Sequence, residues 1–288
     1  MLRIIPQKAF AVLLLALSAL VGTTSLSAAD EERPAVVVLR TPKGVRFGLQ
    51  GEKGQAPAAT LFVFASRIED TLGNDVYNKV GRLLAKQGVI SVSLDVPCHG
   101  EDTKPGEPAG LSGWRSRIEK GDELIGDFAV KVKDVLDHLV EQGYTDPKRL
   151  GVCGTSRGGF IALHLAAAEP RFGCAAAFAP VTNPLAVSEF NGMANPAPAN
   201  ALSIVNRSEQ LSGRAIWVCI GNNDQRVSTD DLIAFTRKVV AVSIAQKKPA
   251  NVELHVMPSL GHSIHATAHD EAASWIARQF TEESKGQP

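Results

Sequence analysis

Short apolar runs alternate with longer segments in which apolar residues recur every three or four positions, and this rhythm persists from about residue 34 to residue 280. A run of four to eight apolar residues bounded by turn formers predicts a buried strand, and three-four spacing predicts an amphipathic helix. Strands are therefore expected at residues 34–40, 45–49, 61–65, 89–96, 150–154, 173–179, 214–220 and 252–257. The second should pair back on the first as an antiparallel neighbour across the turn at residues 41–44. Helices are expected at residues 74–87, with Val76, Val80, Leu83 and Leu84 on one face, and at 122–142, 160–169, 230–246 and 266–280. Residues 101–120, rich in Gly and Pro, are expected to be loop. Residues 181–212 are irregular, with a weak helix at 201–209, and form at most a small cap. Strands alternating with helices predict an α/β fold, a mostly parallel, doubly wound sheet with helices on both faces.

Composition adds bounds. With 288 residues, 44% of them hydrophobic, one large domain can bury its own core, and no second boundary interrupts residues 30–288. A formal net charge of +0 with no run of like charge gives no footprint for nucleic acid. Residues 1–29 have the build of a signal peptide: Arg3 and Lys8, an apolar stretch at 9–21, and the small residues Ser27, Ala28 and Ala29 before Asp30. The mature chain is expected to begin at Asp30 and to be exported, to a periplasm or the exterior, without stable membrane insertion. Export permits disulfides, but Cys153, Cys174 and Cys219 lie in or beside strand-like runs and behave as small hydrophobes there, with Cys98 in a loop. No C-x-x-C or H-E-x-x-H is present, and His265 and His269, one turn apart, lack a third ligand nearby, so no metal site is expected.

The candidate chemistry starts at Gly154-Thr155-Ser156-Arg157-Gly158, between an apolar run and a helix-forming one. A strand-to-helix turn of type G-x-S-x-G holds a serine on a strained corner with its hydroxyl clear of the sheet. A phosphate loop is disfavoured, because Phe160 follows Gly159 where a Walker Lys-Ser/Thr would stand. A serine nucleophile needs a base, and the base an orienting carboxylate. Asp224 follows the strand at 214–220, and His262 follows the last strand in Gly261-His262.

Three motifs in the order Ser, Asp, His, each after a strand, resemble the serine-hydrolase branch of the α/β-hydrolase superfamily across nearly the whole mature chain. Gly221-Asn222-Asn223-Asp224-Gln225-Arg226-Val227 is similar to the acid segment of prolyl-oligopeptidase-like and dienelactone-hydrolase-like members, and residues 95–102 resemble the loop after the family's fourth strand. The resemblance implies the α/β-hydrolase fold, no cofactor, attack by Ser156, proton transfer by His262, and orientation of the imidazole by Asp224. It implies an oxyanion hole made by the Arg157 N–H and a second N–H from the loop after the third strand, here Ser66 or Arg67 in place of the common His-Gly. Arg67 is alternatively a group for an acidic substrate. His99 and Trp114 are weaker candidates for contacting or covering the substrate. The expected activity is hydrolysis of a small ester through an acyl-enzyme. A peptidase of the prolyl-oligopeptidase type acting on a peptide, and a non-catalytic hydrolase-like binding protein, stay open beside it.

Overall fold

The structure, a computed structural model, describes residues 35–282. The segment at 1–29, expected to be a signal peptide, lies outside them. In chain order the elements are β1 (Val36–Arg40), β2 (Arg46–Gln50), β3 (Ala58–Phe64), α1 (Ile68–Gly73), α2 (Lys79–Ala85), β4 (Ile90–Ser93), α3 (Gly110–Glu119), α4 (Leu124–Glu141), β5 (Thr145–Thr155), α5 (Arg157–Ala168), β6 (Cys174–Phe178), α6 (Ala197–Ala201), α7 (Ser208–Leu211), β7 (Ala215–Asn223), α8 (Thr229–Ala245), β8 (Val252–Leu260) and α9 (Ala268–Glu282). The eight strands form one sheet in the order β1-β2-β4-β3-β5-β6-β7-β8. β2 pairs antiparallel with both β1 and β4, and every pair from β4 to β8 is parallel.

Period-two alternation sends successive side chains of the central strands into two cores. Phe62, Phe64, Val152, Ala175 and Val218 face one core, closed by α3, α4, α5 and α8. Leu61, Val63, Cys153, Ala176 and Trp217 face the other, closed by α1, α2 and α9. Helices thus cover both faces, and the strand carboxyl ends gather along one edge, where open α/β sheets build sites.

Two local expectations are corrected. Residues 101–120 are not all loop, because α3 occupies the second half. Its stripe of Leu111, Trp114 and Ile118 is buried, and Gly113 serves close packing: a Cβ there would lie 2.2 Å from the Pro108 carbonyl oxygen and 2.7 Å from the Cys98 Cβ. The helix expected at 74–87 begins only at Lys79, since Asn74 Oδ1 accepts from the N–H groups of Val76 and Tyr77 and closes a turn instead. At α8 the N-cap is Ser228, whose hydroxyl accepts from the Asp231 N–H at 3.1 Å, while Asp230 and Asp231 sit in the first turn.

Between β6 and β7, residues 181–212 form short 3₁₀ and α-helical turns. Phe190, Ile204 and Leu211 are buried in the main core, Leu185, Met193 and Leu202 are partly buried against it, and Val205 is exposed. His164 on α5 reaches it, with Nε2 3.0 Å from the Leu202 carbonyl oxygen. The cysteines are all buried; Cys98, Cys153 and Cys219 are unbridged, and burial pushes their thiols up to about 12.

Burial pushes both His164 and His269 down to about 4, so each is neutral in the fold at neutral pH. The unfolded chain takes up protons on them near the ordinary imidazole value of about 6.5, while the folded chain does not until about 4. Unfolding is therefore favoured as pH falls from about 6.5 toward about 4, and the contribution of each histidine is fully present above that window. Stability should fall by about 1.4 kcal/mol per pH unit for each of the two within it. Denaturant titrations at pH 6.5 and pH 5 read this directly. His164→Gln should halve the histidine part of the difference, and an unchanged difference in that variant would contradict it.

Candidate active site

Ser156 stands between β5 and α5 with φ 55° and ψ −114°, a conformation that strains any residue with a side chain. The turn closes because its flanking glycines allow backbone to touch backbone. A Cβ on Gly154 would lie 2.2 Å from the Gly158 carbonyl oxygen, and one on Gly158 would lie 1.9 Å from that of Phe64. The Ser156 N–H donates to the Phe178 carbonyl at 2.8 Å, which fixes the corner against the end of β6. The N–H of Arg157, the first residue of α5, is one of the helix-terminal amides with no intrahelical acceptor and lies at the positive end of the helix dipole.

The three residues singled out for the chemistry lie 38 and 106 positions apart in sequence and meet here. His262 Nε2 is 2.9 Å from Ser156 Oγ, and His262 Nδ1 is 2.8 Å from Asp224 Oδ2. The Asp224 side chain is fully buried, that of His262 partly exposed. Asp224 is over-determined: its Oδ1 accepts from the N–H groups of Arg226 at 2.9 Å and Val227 at 3.2 Å. Its own N–H donates to Thr229 Oγ1, whose hydroxyl donates in turn to the Gly221 carbonyl at 2.7 Å. A carboxylate held by so many donors fixes the ring plane of the histidine it faces.

A cavity of about 680 Å³ opens over this trio, lined by Ala65 after β3, Thr155 at the end of β5, Ala179 after β6, Arg226 after β7 and residues 262–266 after β8. The turn at 75–77 closes one side with Asp75, Val76 and Tyr77. The helix expected at 74–87 does not predict this wall; the Gly73-Asn74 pair that ends α1 is the signal that marks it.

The other sequence candidates fare differently. The Ser66 N–H is spent on Thr71 Oγ1 at 3.1 Å, which removes it as a second oxyanion donor. Arg67 holds Asp70 through Nε at 2.7 Å and Nη2 at 2.9 Å, and neither Ser66 nor Arg67 lines the cavity, whereas Ala65 does. Arg67 is thus committed to a carboxylate of its own chain. Trp114 is 1% exposed, its indole donating to the Pro97 carbonyl at 2.6 Å and its ring 5.4 Å from that of Phe160, so it supports the elbow helix from below instead of covering substrate. His99, partly buried, places Nδ1 2.9 Å from the Pro97 carbonyl oxygen and is not among the cavity-lining residues; burial lowers its pKa. Asp95 ties this loop down, accepting from the N–H groups of Ile68 at 2.9 Å and Glu101 at 3.1 Å and from Arg46 at 2.7 Å.

Compared with known proteins, the chain matches the prolyl oligopeptidase family over residues 127–283, more than half its length and the part that carries Ser156, Asp224 and His262. It is similar to the acylamino-acid-releasing enzyme of Arabidopsis thaliana, 48% identical over 79 residues, 24% of this chain but 10% of that protein. Among solved structures it resembles dipeptidyl peptidase 4 of Porphyromonas gingivalis, with TM-score 0.61, 16% identity, 86% of this chain and 35% of that one. It also resembles acetyl xylan esterase 1 of Thermoanaerobacterium sp. JW/SL YS485, with TM-score 0.57, 16% identity, 85% of this chain and 88% of that one. These two likenesses show the α/β-hydrolase fold.

Proposed function

The chain belongs to the prolyl oligopeptidase family, and from that premise we propose that it is a serine hydrolase of carboxylic esters working through an acyl-enzyme. The observation that carries this reading is the unbroken hydrogen-bond chain Asp224–His262–Ser156, ending on a strained serine at a cavity mouth. His262 Nε2 takes the hydroxyl proton as Ser156 Oγ attacks the ester carbonyl, and Asp224 stabilises the imidazolium that forms. The Arg157 N–H and the positive end of α5 receive the developing oxyanion. His262 then gives its proton to the departing alkoxide. Water, deprotonated by the same nitrogen, releases the acyl group and restores Ser156.

Peptide hydrolysis is the second reading, favoured by the family and by the identity shared with the acylamino-acid-releasing enzyme. Two features support the ester reading over it. Of the two N–H groups expected to offer the second oxyanion donor, Ser66 or Arg67, that of Ser66 is engaged elsewhere and Arg67 does not line the cavity, and activated esters depend less than amides on full oxyanion stabilisation and leaving-group protonation. Residues 181–212 bury Phe190, Ile204 and Leu211 in the core and expose Val205, little apolar surface for contact with a lipid droplet, which supports action on small dissolved substrates over emulsified lipid. A panel of short-acyl 4-nitrophenyl esters, long-chain triglyceride emulsions, N-acyl-amino-acid amides and proline-containing peptides tests the choice. Turnover of the short esters well above the rest is expected. Efficient cleavage of the amides or peptides with negligible ester turnover would replace it with the peptidase reading.

A further inference from the structure

The side chain of Arg157 is not used by this mechanism, which takes only its backbone N–H. The residue is half-buried beside Ser156 and lines the cavity. Its Nε donates to the Ala65 carbonyl at 2.9 Å. That bond fixes the start of the guanidinium plane against the end of β3 and leaves the other four N–H groups of the fork with no protein acceptor among the described residues. No Asp or Glu of the described residues forms an ion pair with it.

The other charges around the cavity are neutralised. Lys79 pairs with Asp270 at 2.7 Å, Asp75 with Arg82 at 2.5 Å, and Arg226 with Glu189 through Nη1 and Oε2 at 2.7 Å. Among the described residues Arg157 is therefore the cavity-lining arginine or lysine left without a counter-ion. A half-buried guanidinium without a partner is partly desolvated at a cost, and its planar fork matches a carboxylate. Burial already pulls its pKa below the ordinary arginine value, with Arg226 pushing the same way and Tyr77 and Glu189 opposing. His99, the nearby imidazole, is held toward its neutral form by burial and offers no competing charge.

We propose that the free face of the Arg157 guanidinium binds a substrate carboxylate, so that the site selects esters carrying an anionic carboxylate a few bonds from the scissile carbonyl. This rests on the serine-hydrolase reading above and narrows its substrate class. It also moves acid recognition from Arg67, which is tied to Asp70, to the residue next to the nucleophile. A purely structural role would account for Nε and Ala65 but not for the four donors of this cavity-lining residue that lack a protein acceptor among the described residues.

The test compares matched pairs on the full chain. The acyl-side pair is 4-nitrophenyl hemiadipate against 4-nitrophenyl hexanoate; the leaving-group pair is 4-acetoxybenzoate against its methyl ester. All rates are corrected for spontaneous hydrolysis. A charge-assisted contact of this kind predicts a kcat/KM preference of about 10- to 100-fold for the anionic member of one pair, and the pair that shows it locates the carboxylate. Arg157→Gln should collapse that ratio to about one or below, whatever happens to the absolute rates, and Arg157→Lys should keep part of it. Free adipate should inhibit hexanoate ester turnover competitively in the wild type, and adipamide should not, which keeps the proposal testable if Arg157→Gln fails to fold. Ser156-dependent turnover of the neutral esters with no anionic preference and no adipate inhibition would overturn the proposal and leave the hydrolase reading standing. No turnover of any ester would remove both this proposal and the ester reading it narrows.

Discussion

Replacing Ser156 with Ala should reduce kcat toward esters by at least about 10³ while leaving the fold intact. On the proposed mechanism the hydroxyl is the attacking group, and no other side chain stands within hydrogen-bonding distance of His262 Nε2 among the described residues. Alanine keeps the Cβ and hence the strained φ of 55° that the neighbouring glycines permit. The lost hydrogen bond to His262 is solvent-accessible, so stability should change by less than about 1 kcal/mol. What remains over the uncatalysed rate would come from the Arg157 N–H and from binding. A purified variant that turns over esters as the wild type does would remove the assignment.

Gly158→Ala should cost both stability and rate. Its Cβ would lie 1.9 Å from the Phe64 carbonyl oxygen, 2.3 Å from the carbonyl carbon and 2.8 Å from the Ala65 nitrogen. These are backbone atoms of β3 and its exit, and β3 is held on both sides by β4 and β5. No side chain can swing away to relieve the contact, so α5 must move relative to β3. Overpacking against soft side chains costs roughly 1–3 kcal/mol; against a central strand we expect about 3 kcal/mol or more. Arg157 rides on the same turn as Gly158, so its N–H and its Nε bond to Ala65 shift as well, and kcat of the folded fraction should fall by about 10². Gly73→Ala is the control, since a Cβ there meets nothing within 4 Å; it should change stability by less than about 1 kcal/mol. Denaturant unfolding of the two variants beside the wild type, with kcat measured on each, decides it. A Gly158→Ala protein as stable and active as the wild type would contradict the account.

Much of this architecture is legible in the residues because its signals are local. Val36–Arg40, Ile90–Ser93 and Cys174–Phe178 are strands that the apolar runs announce, and the parallel sheet with helices on both faces follows from their alternation with helical spacing. The elbow is legible for a different reason: Gly154 and Gly158 are demanded by backbone contacts that no larger residue allows. What escapes the sequence is decided by distant partners. Gly113 has the look of loop composition and is a packing glycine, because its neighbours Pro108 and Cys98 are visible only in the fold. Ser66 is a plausible donor until Thr71, five residues on, takes its N–H. Arg157 is marked by its place after the serine, but that its charge lacks a counter-ion depends on which carboxylates the tertiary structure brings near.

The central claim is that Ser156 is a hydroxyl activated by His262, and a fluorophosphonate probe tests it most directly because it bonds only to a serine so activated. Intact-mass and peptide analysis of the folded protein should show one probe per chain on the peptide containing Ser156, with no adduct in Ser156→Ala. A folded wild-type protein that stays unlabelled at Ser156, or that carries the adduct on another serine, would contradict the account.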